Sequence, residues 1–261
     1  MNTGRLIILG SSAGRASAHR AASSYLLDLG DHGILIDCGD GATRNFLHAG
    51  YRSEWVSHIV ISHTHADHVG GLPYFIQQRH QARTSNPLTM HCPDEAIAPL
   101  KDLLVFGHLY PGWMRFPISF VPIVAQRPWI IGDTRITAFA TSHLATQRAF
   151  AIRNGYPDPG DCFAFQIQIA GKSIVYSADL GALEDLDPVA GPIDWLLIET
   201  SHITLDQLWP WAAKRSIKRI ILTHLSDDFD TSQLALAAKF TSAEIVLAED
   251  EMVLELMDSW W

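Results

Sequence analysis

One run constrains this chain more than any other: Ile59-Val60-Ile61-Ser62-His63-Thr64-His65-Ala66-Asp67-His68-Val69-Gly70-Gly71. Its β-branched start reads as a buried strand, and the strand stops at a loop carrying three histidines and an aspartate before two glycines and Leu72-Pro73. His63 and His65 stand two apart and can grip one cation together, while Asp67 and His68 can turn towards a second. Three imidazoles and a carboxylate within six residues make a site for zinc or a similar divalent ion.

The His63-x-His65-x-Asp67-His68 pattern resembles the metal-binding signature of the metallo-β-lactamase superfamily. That resemblance implies a four-layer αββα sandwich with two metals between its two sheets. It fits the chain's size: 261 residues suffice for one large α/β domain, and a single domain over 1–261 is the expectation. With 48% hydrophobic and 18% charged residues, wholesale disorder is excluded.

Other totals narrow the function. No apolar run reaches bilayer-spanning length, and Met1-Asn2-Thr3-Gly4-Arg5 leads into a short strand, so a cytoplasmic protein without a membrane partner is expected. Cys38, Cys92 and Cys162 lie far apart without a Cys-x-x-Cys spacing, which points to packing roles. The net charge of −9 argues against a broad basic surface for long nucleic acid and leaves a small anionic substrate as the expected partner.

Along the chain, Leu6–Leu9 reads as a strand ending at the small-residue loop Gly10-Ser11-Ser12-Ala13-Gly14, which is either a plain turn or a loop whose N–H groups face a ligand. Residues 23–29 and 33–39 read as a hairpin, followed at Asp37-Cys38-Gly39-Asp40-Gly41 by a helix containing Arg44, Phe46 and Leu47. Leu72–Gln81 reads as a helix. Between Ala82 and Pro128 one strand, one helix over Ala96–Phe106 and a loop near Tyr110–Trp113 are expected; Trp113 and Phe116 either wall a pocket or pack in the core. Strands then end at Thr141-Ser142-His143, at Ser177-Ala178-Asp179, at Glu199-Thr200-Ser201-His202 and at Thr223-His224. Thr231–Phe240 reads as a helix, residues 244–248 and 252–256 as closing strands, and no internal repeat is evident.

Asp37–Arg44 and the upstream Arg20-x-x-Ser23-Ser24 resemble the ribonuclease Z branch of that superfamily, in which the glycines let the chain turn under the metal site. Asp40 and Arg44 are expected to form a structural ion pair or a solvated helix face, with a further role in that loop as the alternative. Carried over position by position, the resemblance implies that His63, His65 and His143 hold one metal, Asp67, His68 and His224 the other, and Asp179 bridges both. Nitrogen and oxygen ligands without sulfur fit two Zn2+ ions, with manganese or iron as alternatives. Two such ions activate a hydroxide for hydrolysis, with Asp67 placed to orient it or accept its proton.

The expected reaction is hydrolysis of a small phosphodiester, a cyclic nucleotide or RNA, by a phosphodiesterase whose proton donor is His202 or Glu199. His202 could instead be a partner that orients Asp67. The order Glu199-Thr200-Ser201-His202 departs from the branch's usual His-Glu-Ala-Thr. Only residues 144–178 separate His143 from Asp179, too few for the long arm of members that mature transfer RNA, so RNA is not favoured. A thioester or lactone hydrolase, and a non-catalytic metal-binding biosynthetic or scaffold protein, are the competing classes. The resemblance also implies a homodimer, with Trp260-Trp261 suited either to that contact or to packing on their own domain.

Overall fold

The structure, a computed structural model, describes residues 4–256, so Trp260 and Trp261 lie outside the described residues. The described residues form two compact units, one of residues 4–123 and 249–256 and the other of residues 124–248.

In the first unit, β1 (Arg5–Gly10), β2 (Ser24–Asp28), β3 (Gly33–Ile36), β4 (Val56–Val60), β5 (Leu88–Cys92) and β6 (Ile118–Pro122) alternate with α1 (Ala42–His48), α2 (Ala66–Val69), α3 (Leu72–Gln81) and α4 (Ile97–Phe106). The hairpin is antiparallel, with Tyr25 opposite Ile36, whereas β3 to β6 pair in parallel. Ile7, Leu26, Leu35, Ile59 and Met90 line one face of the sheet. Phe46 of α1, Phe75 and Ile76 of α3, and Leu100 and Leu104 of α4 cover that face. Phe46 meets Phe75 edge-on at 5.4 Å, an arrangement aromatic quadrupoles favour.

The second unit contains β7 (Trp129–Ile131), β8 (Thr134–Thr141), α5 (Ala145–Asn154), β9 (Cys162–Ile169), β10 (Lys172–Tyr176), β11 (Ile193–Glu199), α6 (Leu205–Ala212), β12 (Ile217–Thr223) and β13 (Glu244–Leu247). Its sheet order is β13-β12-β11-β10-β9-β8-β7. The chain then returns to the first unit as β14 (Val253–Glu255), giving that sheet the order β14-β1-β2-β3-β4-β5-β6. Both sheets have seven strands and join antiparallel hairpins to a parallel half. Val175, Leu196, Ile198, Ile220 and Leu222 pack with Leu205, Leu208 and Trp209 of α6 in the second core. Among the described residues no helix is long and apolar enough to cross a membrane.

Several expectations need correction. The stretch from 82 to 128 holds two strands, β5 and β6, rather than one, while its helix falls at Ile97–Phe106. Phe116 is buried in the first core and Trp113 is exposed, so they do not form one wall. The helix expected over Thr231–Phe240 is present and winds as a 3₁₀ helix over Thr231–Lys239, opened by the Asp230 carboxylate accepting from the Ser232 N–H. Helix α5, absent from the sequence-based expectations, runs to Asn154 and stops at left-handed Gly155. Helix α6 was missed because Pro210 interrupts its pattern, although Thr204 and Gln207 form a capping box at its start.

On the sheet face away from α1, α3 and α4, His58 and His91 stack at 5.6 Å. Burial, and then His58, lower the His91 pKa to about 4. The unfolded chain therefore binds a proton near pH 6.5 that the fold rejects, so this contribution is complete above pH 6.5 and is lost as pH falls towards 4. His91→Gln is expected to lose about 1–2 kcal/mol less stability than the parent between pH 7 and 4.5, after discounting for solvent screening, measured by urea denaturation.

Candidate metal centre

The first cluster sits where β4 gives out. Ser62 and His63 follow the strand fully buried, and α2 carries Asp67 and His68 as one short turn. The segment is held from below by the turn after β3: Cys38 N–H donates to the His68 carbonyl at 2.7 Å, and Gly71 N–H donates to the Cys38 carbonyl at 2.9 Å. Such an approach has no room for side chains. A Cβ on Gly39 would stand 2.2 Å from the Asp67 carbonyl oxygen, and one on Gly71 would stand 2.1 Å from that of Gly39. The glycines of this turn do what the ribonuclease Z resemblance implied.

Asp37 opens the Asp37–Gly41 turn, and the sequence alone assigns it no role. It is fully buried with φ at 54°, and its carboxylate accepts from the Ser62 N–H at 2.7 Å and the Ser62 hydroxyl at 2.8 Å. It also meets His68 Nδ1 at 2.8 Å. That bond fixes the ring and turns Nε2 towards Asp67 Oδ2, 3.4 Å away. The His63 ring lies 4.7 Å from that of His65 and 4.1 Å from that of His68.

The second cluster gathers at strand ends of the other unit. His143 follows β8, Asp179 follows β10, His202 follows β11, and His224 follows β12. Asp179 is buried, and its backbone carbonyl accepts from Thr141 Oγ1 at 2.9 Å and from the Cys162 thiol at 3.4 Å. Its two carboxylate oxygens serve different imidazoles: Oδ2 lies 3.4 Å from His143 Nε2, and Oδ1 lies 3.6 Å from His224 Nε2. His224 has φ at 54°, and its carbonyl is held by Ser201 Oγ at 2.9 Å.

Glu199 is buried and accepts from the N–H groups of Leu180, Ser201 and His202. It meets His202 Nδ1 at 3.2 Å, with the His202 side chain 40% exposed. Glu199 thus shapes the loop, and His202 is the member that solvent reaches. Asp185 gave no sequence signal, yet its carboxylate accepts from Ser142 N–H and Oγ, Gly181 N–H and Ala182 N–H at 2.9–3.1 Å, tying the loop of His143 to that of Asp179.

These spacings can be tested against a metal. Donors 2.0–2.2 Å from one tetrahedral ion stand about 3.3–3.6 Å apart. The His68–Asp67, His143–Asp179 and His224–Asp179 separations of 3.4, 3.4 and 3.6 Å match that edge and exceed ordinary hydrogen-bond length. Within the first unit His63 pairs with His65 and Asp67 with His68, their ligand atoms within 4.8 Å. The same holds in the second unit for His143 with Asp179, Asp179 with His224, and Glu199 with His202 and His224. The donors are nitrogen and oxygen only, as a divalent ion such as zinc requires. Two outcomes are expected: Asp37→Asn lowers metal affinity about 10–100-fold in competition with a chelator, and Gly39→Ala costs at least about 2 kcal/mol in denaturant unfolding because its Cβ meets backbone.

Comparison with known proteins bears on the family and the fold. Residues 4–242 match the family model for the anti-Pycsar protein Apyc1. Ribonuclease Z of Thermobifida fusca is 25% identical over 97% of this chain and 94% of its own length. Among solved structures, the metallo-β-lactamase fold protein YhfI of Bacillus subtilis has a TM-score of 0.76 at 21% identity, covering 98% of this chain and 100% of that one. The short form of human tRNase Z has a TM-score of 0.75 at 20% identity, covering 97% and 100%. The two structures speak for the fold, which is the mixed α/β fold of the metallo-β-lactamases with its two large sheets. Since the family model spans nearly the whole chain and the ribonuclease Z likeness runs across 97% of it, the chain belongs to the anti-Pycsar protein Apyc1 family, in the ribonuclease Z-like branch of the metallo-β-lactamase superfamily.

Proposed function

We propose that this chain is a phosphodiesterase that depends on two divalent metal ions, most simply Zn2+, and acts on a small phosphodiester such as a cyclic nucleotide. The observation that carries the reading is the Asp179 carboxylate, which offers one oxygen towards His143 and the other towards His224. In the proposed ligand set, His63, His65 and His143 would hold one ion and Asp67, His68 and His224 the other, with Asp179 shared between them, and residues 1–261 are taken as one hydrolase domain. When bound, such ions polarise a phosphoryl group and make a water molecule acidic near neutral pH.

The chain's own residues then divide the work. Asp67 orients the attacking water and takes its proton. His202, half-exposed and steadied by Glu199, hands a proton to the leaving oxygen, while Asp37 and Asp185 hold their loops in register. A small substrate is favoured over RNA by the region after His143. Arg148 of α5 is engaged by Asp158 and Asp161, both at 2.9 Å, so its charge is met within its own segment and is not offered to a polyanion. A cytoplasmic homodimer completes the proposal.

The test is elemental analysis of protein purified without added metal, beside a hydrolysis screen with bis(p-nitrophenyl) phosphate, a thioester and a lactone. About two metals per chain are expected, with turnover of the phosphodiester only. His65→Ala is expected to lose metal and activity together. Asp67→Ala should lower kcat at least about 1,000-fold while keeping a cooperative unfolding transition. Turnover of the thioester or lactone alone would move the substrate class, and protein that takes up no metal on reconstitution would end the mechanism.

A further inference from the structure

The loop from Gly10 to Ala22 has almost no regular structure, yet it is fastened at both ends to one distant side chain. Asp250 Oδ1 accepts from the Ser11 N–H at 3.1 Å and the Ser11 hydroxyl at 2.8 Å, and Oδ2 accepts from the Ala21 N–H at 2.6 Å and Asn45 Nδ2 at 2.9 Å. Asn45 also donates to the Leu9 carbonyl at 2.8 Å, and Arg20 Nη1 donates to the Ser11 hydroxyl at 2.7 Å. Four donors on one carboxylate across more than 200 residues of chain make a clamp, since any of them left unmet in a half-buried setting is costly.

What the clamp holds is close to the chemistry. At the crest of the loop, Gly14 lies against Asp67: a Cβ there would stand 3.3 Å from Asp67 Oδ2 and 3.6 Å from its Cγ. The Asp67 carboxylate is thereby held between Gly14 on one side and His68 Nε2, at 3.4 Å, on the other. The same loop walls a cavity of about 270 Å³ that opens beside Asp67 and is rimmed by Arg20, Asp40 and Arg44.

We propose that Asp250 is a positioning residue: by closing the neck of the Ser11–Ala21 loop it presses Gly14 onto Asp67 and fixes that carboxylate for its work. The inference rests on the reading of Asp67 as a metal-holding and proton-accepting group, but the clamp itself can be read without activity. In Asp250→Asn the amide NH₂ faces donors where an oxygen accepted them, so the neck opens while side-chain volume is kept.

Asp28→Asn is the control, because Asp28 also collects four donors, from Arg5, Tyr51, Trp55 and the Gly30 N–H. It does so at the end of β2 remote from Ser24, roughly 13 Å along the strand at ~3.3 Å per residue. Full-length Asp250→Asn, Asp28→Asn and Gly14→Ala would be compared by amide hydrogen exchange, by the visible absorption of the cobalt(II)-loaded protein, and by kcat and KM on bis(p-nitrophenyl) phosphate.

In Asp250→Asn, amide exchange of residues 12–22 is expected to rise at least tenfold, the cobalt bands to shift and kcat to fall at least tenfold. Gly14→Ala should shift the bands and lower kcat with the loop amides still protected. Asp28→Asn should lower the Tm comparably and change none of the three. Protected loop amides in Asp250→Asn, or equal changes in Asp28→Asn, would overturn the assignment and leave Asp250 a purely structural carboxylate. If the parent protein hydrolyses no phosphodiester, the functional reading fails, whereas exchange and cobalt absorption still decide this one.

Discussion

The contact on which the rest of the site depends is backbone against backbone: the turn after β3 pressed under the histidine segment, with Cys38 bonded to both His68 and Gly71. Two peptide chains can approach this closely only where neither carries a Cβ at the contact, and Gly39 and Gly71 supply that absence. Once the approach is made, the Asp37 carboxylate lies within reach of Ser62 and His68, and the orientation of the His68 ring follows. The loop is then set by strand ends and hydrogen bonds and not by its own preferences, which gives a metal site ligands that need little reorganisation to bind.

The same logic accounts for the strain. Asp37, Ala178 and His224 adopt φ of 54°, 47° and 54°, a region that costs a non-glycine residue on the order of 1–3 kcal/mol. Each stands just past a strand of a parallel half-sheet, where the chain must turn sharply to present a side chain at the carboxyl end. The bonds around them are sufficient to hold the turn: Ser62 on Asp37, Thr141 and Cys162 on the Asp179 carbonyl, Ser201 on the His224 carbonyl. Strain of this kind thus occurs beside candidate ligands in both units, as it does at turns elsewhere, at Arg83, His108, Gln126, Ala170 and Glu251.

Carboxylates in this molecule are largely internal connectors. Asp28, Asp37, Asp185 and Asp250 each collect three or four hydrogen-bond partners, several of them backbone N–H groups that no secondary structure satisfies. A net charge of −9 is therefore a poor map of the outer surface. Part of that charge holds irregular loops in shape, and Arg148 is met by two aspartates of its own segment.

The pattern of apolar strand followed by His or Asp was legible at His63–His68, His143, Asp179 and His224, because strand period and ligand type are local properties of the chain. Helix α3 was legible for the same reason, and its limits fall at Leu72 and Gln81 as the periodicity indicates. Helix α5 was not, since Phe150 and Ile152 are exposed and give no amphipathic signal, and the 3₁₀ winding of residues 231–239 is not encoded in a helical period. Asp185 and Asp250 carry no motif, and the Asp37–Arg44 motif does not reveal what the Asp37 carboxylate holds, because these roles arise from donors elsewhere in the chain: Ser11 and Asp250 stand 239 positions apart. Sequence by itself determined which elements end in ligand-type side chains. Only the tertiary structure decided which carboxylates hold them, since a hydrogen bond between distant segments exists only after both are folded.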